Sequence, residues 1–338
     1  MRLTSRSIKD AEMAGQRLMV GFDGTEMSAD LKVLIQEMRV GGIILFSGNI
    51  VEPAQVRQLC TSMQAYASEC GQPPLFIAVD QEGGVVARLK APFTEFSGNP
   101  LMAGEADAQQ FARITAKELR EIGINMNMAP VLDVAFDLKK SIMADRSFGA
   151  DPEWVSALGA VVIEGLQQRG IMAVGKHFPG IGRTTLDSHL ELPFLDADPA
   201  EFEKSDLLPF DAAIRRGVAG IMLSHICYRQ MDAIWPASLS RVVARDLLRD
   251  RMGFKGLVIT DDLDMGAIAK HYDMETVIGR ILAADIDIAL ICHRSASIEK
   301  AFDTIRAFQE AAFANRERCR RSVERILRAK KRYLGLSG

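Results

Sequence analysis

Asp261 follows the apolar run GLVIT (256–260), so a strand there would carry its carboxylate at the strand end. A carboxylate held in that way can attack an electrophilic carbon or stabilise a cation. Asp262 and Asp264 stand just before a helix expected from Met265, and at least one of the three aspartates should cap it. Their spacing breaks the EF-hand pattern, which argues against a Ca²⁺ loop. The second concentration of polar chemistry is KHFPGIGRTTLDSH (176–189). Asp187 and His189 lie two residues apart, close enough for the carboxylate to orient the imidazole and stabilise its protonated form. An unperturbed imidazole pKa near ~6.5 suits proton transfer at neutral pH. On spacing alone, however, the pair reads as an Asx turn beside a surface histidine. The Gly and Lys of this stretch lack the Walker spacing, so a nucleotide site is not supported.

No metal or cofactor is implied. The five histidines (177, 189, 225, 271, 293) include no H-E-x-x-H and no other short ligand pair. The five cysteines are odd in number, scattered and without metal spacing, as expected of a reducing compartment.

These groups need a scaffold. Eight short, two-sidedly apolar runs read as strands: 18–22, 41–46, 74–80, 124–133, 171–178, 220–225, 256–262 and 286–292. Segments with apolar residues at helical spacing separate them, such as SADLKVLIQEMRV and PASLSRVVARDLLRDRMG, the second stopping at Gly253. Eight such alternations predict an α/β fold, a (β/α)₈ TIM barrel, as a single domain over residues 1–338. Helices from about 295 are expected to pack on its exterior. A doubly wound sheet would show G-x-G-x-x-G after its first strand, and VGFDGTEM is not that. Polar residues stand where the runs stop: Asp80 with Gln81 and Glu82, Asn127 and Asp133, Lys176 and His177, Ser224 and His225, Asp261 and Asp262, and His293. In a barrel these ends meet at one face, where barrel enzymes carry out their chemistry.

The net charge of −3 gives no footprint for nucleic acid, and no apolar run approaches the ~18 residues of a membrane span. MRLTSRSIKDAEMAGQ lacks the apolar core of a signal peptide, so a cytoplasmic protein is expected.

Read as a whole, the chain resembles glycoside hydrolase family 3, specifically its single-domain bacterial β-N-acetylglucosaminidases of the NagZ type. The motifs run in order through GGIILFSGN (41–49), AVDQEGGVVARL (78–89), GINMNMAPVLDV (123–134), DRSFG (145–149), KHFPGIGRTTLDSH, GIMLSHI (220–226), PASLS (236–240) and GFKGLVITDDLDMGAI (253–268). The resemblance implies that Asp261 is the nucleophile of a retaining hydrolase. It implies that His189 is the acid/base with Asp187 as its orienting partner. Asp80, Arg146, Lys176 and His177 match residues that grip the hydroxyls of a terminal, non-reducing β-linked N-acetylglucosamine. The expected partner is thus an oligosaccharide, with peptidoglycan fragments in cell-wall recycling as its source. Ile181 and Arg183 depart from the family pattern, at a position usually His or Asn and at one usually small or acidic. An added cation in this loop makes a family 3 phosphorylase an alternative, a β-glucosidase is another, and a non-catalytic sugar-binding barrel is a third.

Overall fold

The computed structural model describes residues 10–188, 190–293 and 295–335. Eight parallel strands close a barrel: β1 Leu18–Val20, β2 Gly42–Leu45, β3 Phe76–Val79, β4 Met126–Asn127, β5 Met172–Phe178, β6 Gly220–Leu223, β7 Leu257–Asp262 and β8 Ile288–Ile291. Each strand pairs with its sequence neighbours, and β1 pairs with β8 to complete the ring. All eight expected strands are present. The fourth is shorter than the run 124–133 because Pro130 has no N–H to donate to a ladder. Pairing resumes beyond it as the single bridge Val131–Lys176.

Helices cover the barrel. Ser28 caps Ala29–Gln36 by accepting from the Leu31 amide at 3.1 Å, and Leu31 and Ile35 turn inward. Asp151 caps Pro152–Gln167 in the same way, with Pro152 in the first turn where its missing N–H costs nothing. The segment read as one helix from 236 divides into a 3₁₀ turn, Ala237–Leu239, and a helix Val242–Arg251. Gly253 follows with φ 74°, a conformation that favours glycine. None of the described helices is long and apolar enough to cross a membrane.

Strand alternation divides the core in two. Ile44, Phe76, Ala78, Met126, Met172, Val174, Met222, Leu257, Ile259, Ile288 and Leu290 fill the barrel interior. Their neighbours Ile43, Leu45, Ile77, Val79, Ala173 and Val258 pack outward against the helices. The terminal helix Phe313–Leu334 is held to the barrel by the buried Asp287. That carboxylate accepts from Arg249 Nη2 at 2.6 Å, Arg325 Nε at 2.7 Å, Ser322 Oγ at 2.9 Å and the Val258 amide at 3.0 Å.

Candidate active site

The alternation that fills the interior also selects what lines its mouth. Two residues beyond the last inward side chain lie Phe46 after the second strand, Asp80 after the third, Lys176 within the fifth, Asp261 within the seventh and Cys292 after the eighth. All five line one cavity of about 490 Å³, together with Arg88, Arg146, His177, Asp262 and His293. His177 has the opposite parity to Lys176. The register of β5 against β6 shifts between Gly175 and Phe178, and both side chains reach the cavity.

A buried charge network forms one wall. Lys176 Nζ lies 2.7 Å from Asp80 Oδ1 and 2.7 Å from Glu82 Oε1. Arg146 forks onto Glu82, Nε to Oε2 at 3.0 Å and Nη2 to Oε1 at 2.8 Å. Glu82, with its side chain 1% exposed, is therefore the hub of two cations. Burial pushes its carboxyl up, but Lys176 and Arg146 outweigh that and bring it down to about 2. Burial likewise opposes the charge on Lys176, and Asp80 and Glu82 more than offset it, so the ammonium is held above its ordinary value. The backbone carbonyl of Arg146 accepts from Asn99 Nδ2 at 2.8 Å, which fixes the segment that carries the guanidinium.

His177 is oriented from behind. Its Nδ1–H donates to Asp133 Oδ2 at 2.7 Å, which leaves Nε2 toward Arg146 Nη2 at 3.5 Å. Asp133 also accepts from the amides of His177 and Ile181, the latter at 2.8 Å. The Ile181 backbone N–H thus reaches a site carboxylate, while its side chain is buried in the core. Gly182 follows against Val134, whose carbonyl oxygen would lie 1.9 Å from a Cβ, so only glycine fits there.

Asp261 completes the opposite wall. Burial again pushes its carboxyl up, but His177, His225, the Asp262 amide and Lys176 together hold it below the ordinary carboxylate value. Oδ1 accepts from the Asp262 amide at 2.9 Å. Behind it, His225 Nε2–H donates to the Asp262 carbonyl at 2.8 Å and Nδ1 meets Ser238 Oγ at 2.7 Å, fixing the turn. Asp262 is different in character. Burial, with the Asp264 and Asp261 charges, raises its carboxyl to about 6. One anionic and one more basic carboxylate thus stand side by side.

The remaining expected residues are placed as follows. Asp187 is exposed on the loop after β5 and is not in the cavity wall. That loop is tied to the segment after β7, where the Ala267 amide donates to the Ser188 carbonyl at 3.1 Å and Lys270 Nζ to the Leu190 carbonyl at 2.7 Å. His189 lies outside the described residues. Arg183 stands away from the cavity. Its Nε pairs with the buried Asp206 at 2.8 Å and its guanidinium lies over the Phe136 ring at 4.3 Å. The cation that motivated a phosphorylase is already engaged by a protein carboxylate. Among the described residues, no group of three or more His, Cys, Asp or Glu side chains is arranged to hold a metal ion. Cys292 lines the cavity, but burial drives its thiol well above the ordinary value, which favours the protonated form over the nucleophilic thiolate. Glu82 and Asp133 were expected only among the polar residues at strand ends, and the sequence assigned them no role in the site.

Comparison with known proteins matches the fold. Residues 10–329 match the profile described as "Glycosyl hydrolase family 3 N terminal domain". A β-hexosaminidase from Pseudomonas aeruginosa (strain LESB58) is 35% identical over 288 residues, covering 84% of each chain. The structure of a glycoside hydrolase family 3 β-N-acetylglucosaminidase from Paenibacillus sp. superposes with a TM-score of 0.94 at 38% identity, covering 98% of this chain. The present chain spans 64% of that longer protein. NagZ from Neisseria gonorrhoeae, solved with N-trifluoroacetyl-D-glucosamine, superposes with a TM-score of 0.77 at 28% identity over 95% of this chain and 98% of its own. By the extent of the profile match and the shared identity, this chain belongs to glycosyl hydrolase family 3.

Proposed function

We propose that this chain is a retaining exo-β-N-acetylglucosaminidase that removes terminal β-linked N-acetylglucosamine. The observation that carries the reading is an anionic Asp261 facing a cavity whose other wall is the Asp80–Lys176–Glu82–Arg146 network. The names of the relatives support the sugar: a β-hexosaminidase, a β-N-acetylglucosaminidase and a protein solved with an N-acylated glucosamine.

In this reading the sugar hydroxyls bind Asp80, Arg146, Lys176 and His177. Asp80 accepts hydrogen bonds, and Lys176 and Arg146 donate them. Asp261 attacks the anomeric carbon as its bond to the leaving oxygen breaks, forming a glycosyl ester. Protonated His189, oriented by Asp187, donates a proton to that oxygen. Neutral His189 then takes a proton from water, which attacks the anomeric carbon and releases Asp261. The sugar keeps its anomeric configuration. A histidine base sets no second negative charge beside Asp261. Natural substrates are cell-wall fragments, and the protein works in the cytoplasm; its five free thiols fit that compartment.

The role of His189 is tested by comparing His189→Ala on an aryl N-acetylglucosaminide with a good leaving group and on a natural disaccharide. A much larger loss on the disaccharide is expected, because only that leaving group needs protonation. Equal losses contradict the assignment.

A further inference from the structure

The opposite end of the barrel holds a second cavity with no place in this chemistry. It lies where the chain enters β6 and β7, against the last two turns of the terminal helix. β7 runs from Leu257 at this cavity to Asp261 at the mouth, a separation of ~13 Å at ~3.3 Å per residue. Its volume is about 300 Å³, the size of a small molecule.

Its lining is one-sided in charge. Lys255, Arg325, Arg328 and Arg332 contribute to the wall, and no acidic residue does. In a chain of net charge −3, four cations without an acid stand out. Arg325 is engaged behind the wall by Asp285 and Asp287, each at 2.7 Å. Among the described residues, Lys255, Arg328 and Arg332 make no ion pair with a carboxylate; Lys255 and Arg328 also border an adjoining groove, where Arg245 and Arg249 are paired with Asp250, Asp285 and Asp287.

A second, independent feature points to a ligand. The half-buried Tyr333 borders the same cavity, and its occluded hydroxyl has no hydrogen-bond partner. A buried hydroxyl left unmade is costly, and a bound oxyanion would satisfy it. The rest of the lining is apolar or backbone, including the Phe254 ring, which suits a carbon skeleton rather than a free ion.

We propose that this pocket binds a small phosphomonoester, with Lys255, Arg328, Arg332 and the Tyr333 hydroxyl on the phosphate. Guanidinium forks match phosphate oxygens in bidentate geometry, and a phosphomonoester carries close to two charges at neutral pH.

Calorimetry on the full chain tests this with glucose 6-phosphate, inorganic phosphate and glucose at constant ionic strength. The phosphomonoester binds with one-to-one stoichiometry, inorganic phosphate binds more weakly and glucose does not bind. Arg328→Ala with Arg332→Ala weakens the phosphomonoester by about tenfold or more, as expected for lost hydrogen bonds between charged groups. Tyr333→Phe weakens it severalfold. Turnover of an aryl N-acetylglucosaminide without the phosphomonoester is the same in all three proteins, which shows that the variants fold. No binding by the parent protein overturns the proposal, as does binding that the double variant leaves unchanged. Displacement by N-acetylglucosamine also overturns it, placing the ligand in the barrel mouth. Retention by anionic vesicles or duplex DNA without any response to the small phosphates refutes it in favour of a polyanion surface.

Discussion

Replacing Glu82 with Gln keeps the shape of the hub and removes its charge. The carboxyl falls from an ordinary 4.5 to about 2 in the fold, a difference of about 2.5, and at ~1.36 kcal/mol per unit the charged form is favoured by ~3 kcal/mol. The side chain is 1% exposed, so solvent does little to screen this. The figure agrees with the ~3–5 kcal/mol lost when one partner of a buried ion pair is removed. Geometry gives the reason. Oε1 meets Lys176 Nζ and Arg146 Nη2, and Oε2 meets Arg146 Nε, so an amide NH₂ at either position faces a cation. Glu82→Gln should therefore lower unfolding free energy by ~3 kcal/mol at pH 7 in urea titrations. Because the folded carboxyl is depressed, its contribution is full above about 4.5 and disappears as pH falls through about 2. The gap between parent and variant should narrow across that window. Kinetics should show a higher KM with kcat/KM down by about tenfold, as Lys176 and Arg146 lose their shared anchor. A variant as stable as the parent with unchanged KM would refute the hub.

Two further perturbations follow from the same structure. Lys330 is buried beneath the barrel with Nζ on Gln16 Oε1 at 2.7 Å and 5.0 Å from the centre of the Phe76 ring, and burial lowers it from 10.5 to about 7. The unfolded chain thus holds the extra proton between about 7 and 10.5, and stability rises with pH across that range; below it the penalty is ~5 kcal/mol. Lys330→Met should stabilise the protein most near pH 6, less ~1–3 kcal/mol for the stranded Gln16 oxygen, and the gain should shrink toward pH 10 in denaturant titrations. A pH-independent difference contradicts this. Gly182→Ala places a Cβ against the Val134 carbonyl and should cost ~1–3 kcal/mol or more, seen as a lower thermal midpoint; an unchanged midpoint contradicts the close approach.

The barrel was legible because each strand is a short apolar run buried on both faces, and because parity within a strand survives to its end. Lys176 and Asp261 could be read as facing the mouth once Val174 and Ile259 were assigned to the interior. Partnerships between the segments that follow neighbouring strands were not legible. Arg146 meets Glu82 across 64 residues of chain, and His177 meets Asp133 across 44, contacts that exist only when neighbouring strands pair and bring the segments beyond them together. Nothing local distinguishes Glu82 from any other carboxylate at a strand end. Ile181 shows the converse: it departs from the family pattern in its side chain, yet its backbone amide donates to Asp133, a contact that has no signature in the sequence. Arg183 looked like a free cation because its partner Asp206 is supplied by a distant segment.

The central claim is that Asp261 forms a covalent bond to the sugar. Turnover of an aryl N-acetylglucosaminide in dilute methanol, followed by NMR of the methyl glycoside, reads the stereochemistry, and mass spectrometry of the quenched protein reads the adduct. The account predicts a β-methyl product, one sugar-sized mass increment on the peptide containing Asp261, and neither in Asp261→Asn. An α-product, an adduct on another residue, or substantial turnover by Asp261→Asn contradicts it.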